Sequence, residues 1–267
     1  MLTTSVLCSG PLLRAGQLEV SLATTMEEID AAMRLRFEVF NLELQEGLLS
    51  SYDRGYDTDA YDAFCDHLIV RDLPTRRIVG TYRLLRQREA DRQIGFYSEN
   101  EFDLTRLRQT AREKRLEILE LGRSCIAASH RSFATINLLW AAIARYAIQN
   151  GAGLLFGCGS LHETEPAEIA RLYRHLSQQY LAPPIYRVTP VDSCRMVFPD
   201  GWEASPSTYD EARTIARRLP TILRGYLRTG AMIAGEPALD RAFGTADVLV
   251  LLNLGQLSDR YKQHYVG

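Results

Sequence analysis

The chain has 267 residues, 46% of them hydrophobic, with 31 Lys and Arg against 33 Asp and Glu for a formal charge of −2. That is enough apolar material for one large core, and so small a net charge excludes nucleic-acid binding over the whole surface. No run approaches the ~20 apolar residues of a membrane span.

Residues 1–17 lack a basic start and a small-residue cleavage site, so they are expected to be a short flexible lead and not a signal peptide. Residues 18–22 predict a strand, and Thr25-Met26-Glu27-Glu28 a capped helix running to about Glu43. Residues 50–62 carry Asp53, Asp57, Asp59 and Asp62 and are expected to form a polar loop. Residues 67–72 and 77–85, split by a turn containing Pro74, predict a hairpin.

Residues 116–121 alternate apolar and acidic, the period of a strand with one buried face, and Glu120-Leu121-Gly122-Arg123 sets a carboxylate three residues from a guanidinium. A basic connection over 129–135 and an Ala-rich helix over 136–148 follow. Strand, basic turn and helix suit an anion, because the first N–H groups of a helix are free. Arg131, Ser132, Phe133, Ala134 and Thr135 are the candidate phosphate ligands.

A buried strand over 154–158 and a helix over 166–180 with Pro at its first turn come next. A helix over 209–228 is interrupted or restarted at Pro220 and carries Arg213, Arg217, Arg218, Arg224 and Arg228. Gly225, Gly230, Gly235 and Gly244 are placed in loops, and residues 247–252 form a last strand. The five cysteines are scattered and odd in number, which fits reduced thiols and a cytoplasmic protein; Cys125 and Cys158 are expected to be small buried hydrophobes. No metal-ligand spacing occurs.

These elements in this order resemble the GNAT acyltransferase fold, in which a central strand and the next splay apart to admit a pantetheine arm. Arg36 with Phe40, then Asp59, Asp62, Arg83, Phe102, Glu120 and Arg123 resemble the ordered signature of acyl-homoserine lactone synthases, although no tryptophan precedes Trp140. A fuller resemblance is to bacterial L-ornithine Nα-acyltransferases, carried by Phe64-Cys65-Asp66-His67, Gly80-Thr81-Tyr82-Arg83, Phe96-Tyr97-Ser98-Glu99-Asn100-Glu101-Phe102, Glu120-Leu121-Gly122-Arg123 and Gly235-Glu236-Pro237-Ala238-Leu239-Asp240, followed by Ala246-Asp247-Val248.

The resemblance implies an α/β fold with a central mixed, twisted sheet flanked by helices: one domain over 18–267, with a C-terminal elaboration from about residue 205. It implies transfer of a 3-hydroxyacyl chain from acyl carrier protein to the α-amine of ornithine, with no tightly bound cofactor, no nucleic acid, and peripheral contact with the inner face of the cytoplasmic membrane. Glu120 and Arg123 are then the catalytic candidates, Glu120 as proton acceptor. Arg36, Asp59, Asp62 and Arg83 are the acceptor-binding candidates, the arginines either gripping the acceptor carboxylate or stitching the acidic loop to the strands. Asp57, Asp59, Asp62 or Asp66 would receive a side-chain ammonium. An acceptor other than ornithine, lactone synthesis and a non-catalytic carrier-binding role are the alternatives.

Overall fold

The structure, a computed structural model, describes residues 10–202 and 209–256. Strands β1 (Leu13–Ala15) and β2 (Leu18–Leu22) lead into helix α1 (Met26–Phe37), which continues as a wider helical turn, Glu38–Glu43. The hairpin β3 (Asp66–Asp72) and β4 (Ile78–Arg86) is followed by α2 (Gln87–Arg92), the short β5 (Phe102–Asp103), α3 (Thr105–Glu113) and β6 (Glu117–Ile126). Then come α4 (Phe133–Gln149), β7 (Ala152–Leu161), α5 (Pro166–Tyr180) and β8 (Thr189–Pro190). The last elements are α6 (Tyr209–Arg218), α7 (Thr221–Arg228), β9 (Met232–Ile233), β10 (Ala238–Asp240) and β11 (Thr245–Asn253).

The main sheet runs β1-β2-β3-β4-β6-β7-β11-β10, with β9 also on β11. Its pairings are antiparallel except β6 with β7. Ile118, Leu154, Phe156, Leu249 and Leu251 pack on the α3 side, whereas Leu119, Leu155, Val248, Val250 and Leu252 pack with α4 and α5. Both faces are covered, as the side-chain alternation of a strand allows. The expectation of one buried face over 116–121 is therefore corrected: Glu120 shares the Ile118 face and is itself buried.

Two other expectations change. Part of the expected lead is structured, because β1 pairs with β2 and Leu12 is buried; residues 1–9 lie outside the described residues, as do 205–208 and 257–267 of the expected elaboration. Gly225 sits inside α7, not in a loop. The Thr25 and Glu28 capping box forms as expected, and Pro220 does separate α6 from α7.

Candidate active site

The β6–β7 ladder runs from Glu117↔Ala152 to Glu120↔Phe156 and stops there, although both strands continue. Beyond that point β6 pairs only with β4, and β7 only with β11. Gly157 marks the last close approach before the strands part: a Cβ there would lie 2.1 Å from the Leu121 carbonyl oxygen, so only glycine lets β7 pass so near β6. The opening forms a cavity of about 220 Å³ walled by Leu121–Ser124 on one side and Cys158–Ser160 on the other, with Glu120 at its base. A smaller apolar pocket shares the β6 wall and reaches Tyr82, Trp140, Phe156 and Val250.

A bulge shapes the β6 wall. Between Thr81↔Cys125 and Arg83↔Gly122, β4 spends Tyr82 alone where β6 spends Arg123 and Ser124. Arg123 takes φ +49°, in the left-handed region that costs a non-glycine residue about 1 kcal/mol or more. Its guanidinium lies over the Tyr97 and Phe243 rings and donates from Nη2 to Asp59 Oδ2 at 3.0 Å.

Glu120 does not pair with Arg83 or Arg123. It accepts from the Tyr97 N–H (2.8 Å), the Ser98 N–H (2.7 Å) and the Ser98 hydroxyl (2.5 Å), so it pins the 3₁₀ turn Tyr97–Asn100 under the cleft. Burial raises its pKa, and the Ser98 and Tyr97 donors only partly oppose that. A carboxylate offers about four acceptor positions, so these three donors leave capacity for one more.

The acceptor-binding candidates do assemble, but as an internal ion-pair network. Arg36, 1% exposed, donates from Nε to Asp57 (2.7 Å) and from Nη1 to Asp62 (2.7 Å). Arg83 donates from Nη1 to Asp59 (2.7 Å) and Asp62 (3.1 Å). Asp62 caps back onto the Asp59 N–H, and Asp59 opens the 3₁₀ turn Ala60–Phe64. The loop is thus stitched to α1, β4 and β6 by all three arginines, and Arg36 and Asp62 are corrected from acceptor contacts to buried supports. Arg83 and Arg123 alone of the network reach the cleft wall. Asp66 is held by the Tyr146 hydroxyl and lies 3.6 Å from Arg86 Nε. His67 is structural, with Nε2 3.1 Å from the Asp62 carbonyl oxygen.

At the expected phosphate turn, Ser132 caps α4, its hydroxyl accepting the Thr135 N–H at 3.2 Å. Thr135 is corrected from a phosphate ligand to part of the cap: it is 1% exposed and its hydroxyl lies 3.0 Å from Ser132 Oγ. Arg131 forks onto Glu43 and donates to the Ile126 carbonyl, so it is partly occupied. Phe133 and Ala134 are exposed in the first turn, where helix N–H groups have no intrahelical partner.

The site also uses residues not singled out individually from the sequence. Tyr97, Ser98 and Glu101 fell inside a motif quoted for its resemblance, as did Asp240 and Asp247 in the C-terminal region, but nothing in their spacing announced that a turn and a distant hairpin converge beneath Glu120. Cys158 lines the cleft, and burial raises its pKa well above the usual thiol value, which argues against a thiolate nucleophile.

A bulged strand, a parted parallel pair and a capped helix start define a GNAT acyltransferase, and the family model described as an acetyltransferase (GNAT) domain matches residues 35–141. The chain is 37% identical over 272 residues to the L-ornithine N(alpha)-acyltransferase of Brucella abortus (strain 2308), covering 94% of this chain and 90% of that one. It is 36% identical to the enzyme of the same name from Rhizobium meliloti (strain 1021), covering 94% and 85%. A solved structure, the AHL synthase LasI, aligns over 94% of this chain and 95% of that one at 13% identity and TM-score 0.49. The chain belongs to the L-ornithine Nα-acyltransferase family.

Proposed function

We propose that the protein transfers a 3-hydroxyacyl group from the phosphopantetheine thioester of acyl carrier protein to the α-amine of L-ornithine, giving lyso-ornithine lipid. The observation that carries this reading is the parting of β6 and β7 directly beyond Glu120. It leaves backbone N–H groups of β6 without a ladder partner on the β7 side, next to a carboxylate of raised pKa.

The thioester lies along the opening, its acyl chain toward the apolar pocket of Tyr82, Trp140 and Val250. The amine nitrogen attacks the thioester carbonyl carbon, and the oxyanion that develops is met by β6 N–H groups. The C–N bond forms, the C–S bond breaks, and the proton lost from nitrogen passes by way of Glu120 to the departing thiolate. Glu120 suits this because a base whose pKa sits nearer neutrality both accepts and returns a proton readily. Arg83 and Arg123 hold the acidic loop against the cleft, and Arg123 offers the in-plane N–H donors that Asp59 leaves free to the acceptor carboxylate.

The donor phosphate sits at the start of α4, on the N–H groups of Phe133 and Ala134 with Arg131 swinging from Glu43. No glycine occurs in residues 131–136, and so open a cradle suits a single phosphodiester better than a pyrophosphate. Ornithine-dependent thiol release is measured with acyl carrier protein and coenzyme A donors of the same chain length. The carrier-protein donor is expected to have the higher kcat/KM by tenfold or more; equal values contradict the donor assignment, and no ornithine dependence contradicts the reaction.

A further inference from the structure

The acidic residues expected to meet an acceptor ammonium, Asp57, Asp59, Asp62 and Asp66, are already paired. A second acidic group is not. Glu101 directly follows the turn that Glu120 pins, is 4% exposed, and has no hydrogen-bond partner on either carboxylate oxygen. One of its oxygens, an Asp247 oxygen and Cys158 Sγ all lie within 4.8 Å of one another. Of these groups Cys158 and Asp247 line the cleft, as does Asp240.

Two carboxylates thus meet beside the parted strands with a third, Asp240, near enough for its charge to act on both, and among the described residues no arginine or lysine forms an ion pair with any of them. Asp247 is held by hydroxyls alone, the Thr245 hydroxyl donating to Oδ1 at 2.9 Å with Ser160 as a second side-chain partner, and Asp240 Oδ1 accepts from the Ala242 and Phe243 N–H groups. Arg123, the guanidinium facing Asp247, is committed to Asp59 and lies 3.4 Å from Asp57. Burying carboxylates without a cation is costly. The free protein meets that cost with protons: burial, then Asp247 and Asp240, push Glu101 up to about 9, and burial, then Asp240, push Asp247 up to about 6.

We propose that Glu101, Asp247 and Asp240 form the seat of the acceptor's side-chain ammonium. This rests on the diamino acid acceptor argued above and names what selects it. An ammonium carries three donors and no acceptor, which suits the Glu101 and Asp247 oxygens that lie within 4.8 Å of each other, with Asp240 adding negative charge from the cleft wall. The cluster also lies one link from the reacting end: Ser98 Oγ donates to Glu120 and sits 3.3 Å from Cys158 Sγ.

Ornithine and norvaline, which has the same carbon skeleton without the δ-amine, are titrated calorimetrically into the donor-free protein in two buffers of different ionisation enthalpy near neutral pH. The groups facing the seat are Asp240, Glu120, Cys158, Tyr97, Arg123 and, beyond Asp247, His162. Ornithine is expected to bind with release of protons held by Glu101, whereas norvaline binds at least tenfold more weakly with no release. In parallel, Glu101→Gln and Asp247→Asn are expected to lower the ratio of kcat/KM for ornithine over norvaline at least tenfold. Equal binding and proton counts overturn the proposal on wild-type protein alone, whatever the variants' folding. So does an unchanged ratio in variants that melt normally, or ornithine binding abolished by EDTA. A protein that acylates both amino acids equally refutes only this seat, whereas one that acylates neither refutes the acceptor reading itself.

Discussion

Asp62 and Glu120 are both buried carboxylates, and their neighbours push them in opposite directions. Burial would raise Asp62, but the charge and hydrogen bonds of Arg36, then Arg83, outweigh it and hold its pKa far below the usual carboxylate range. A lowered folded value means stability present above the unfolded pKa of about 4 and lost as pH falls through the folded one. Asp62→Asn is expected to destabilise the protein by about 3–5 kcal/mol at neutral pH, since it strands Arg36 and Arg83, and to flatten acid unfolding in a urea series. Glu101 has the reverse sign: raised to about 9, it contributes stability at low pH that is lost as pH rises toward that value. Glu101→Gln is expected to be more stable than wild type at alkaline pH, and equal stability there contradicts the assignment. At Glu120 the raised pKa places the acid limb of the kcat profile above the ordinary carboxylate range, and Glu120→Gln is expected to lower kcat by roughly 10²–10⁴. That Arg36, Asp59, Asp62, Arg83 and Glu120 belong together was legible in sequence order, but not their arrangement: which arginines stitch the loop and which face the cleft depends on burial set by α1 and β4.

Among elements, β6 and α4 carry the site. Gly157→Ala is expected to push Leu121 away or to be pushed by it, costing about 1–3 kcal/mol and raising the KM for the acyl donor; an unperturbed melt and KM contradict a tight closure there. Ser132→Ala removes the α4 cap, worth about 1 kcal/mol, and loosens the proposed phosphate turn. Strong apolar periods made β2, the β3–β4 hairpin, α5 and β11 readable from sequence within a few residues. Helices α2 and α3 escaped, because α2 buries only Ala90 and α3 only Leu107, Thr110 and Ala111 among charged neighbours. The bulge at Arg123 escaped for a different reason: no local residue signals it, since glycine, its usual marker, stands one position earlier at Gly122.

Taken whole, a protein of net charge −2 presents a local basic face on α6 and α7. Arg213 and Arg217 are exposed there, whereas Arg218 is spent on Glu168 at 2.6 Å. If acidic carrier protein docks on this face, Arg213→Glu with Arg217→Glu raises its KM about tenfold at low ionic strength and less at high salt, where exposed charges are screened. An unchanged KM moves docking elsewhere. Among the described residues no helix is long and apolar enough to cross a membrane. The order of motifs along the chain was enough to place the fold, while the convergence of the β10–β11 hairpin on the Glu101 turn arises only when distant segments meet across the sheet.

The most direct test is mass spectrometry of the products formed from 3-hydroxyacyl-acyl carrier protein and an equimolar mixture of amino acids, with fragmentation to locate the acylated nitrogen. Acyl-ornithine substituted on the α-nitrogen is the predicted dominant product, lost in Glu120→Gln. A different acylated amino acid, substitution at the δ-nitrogen, or no acylated product from wild-type protein would contradict it.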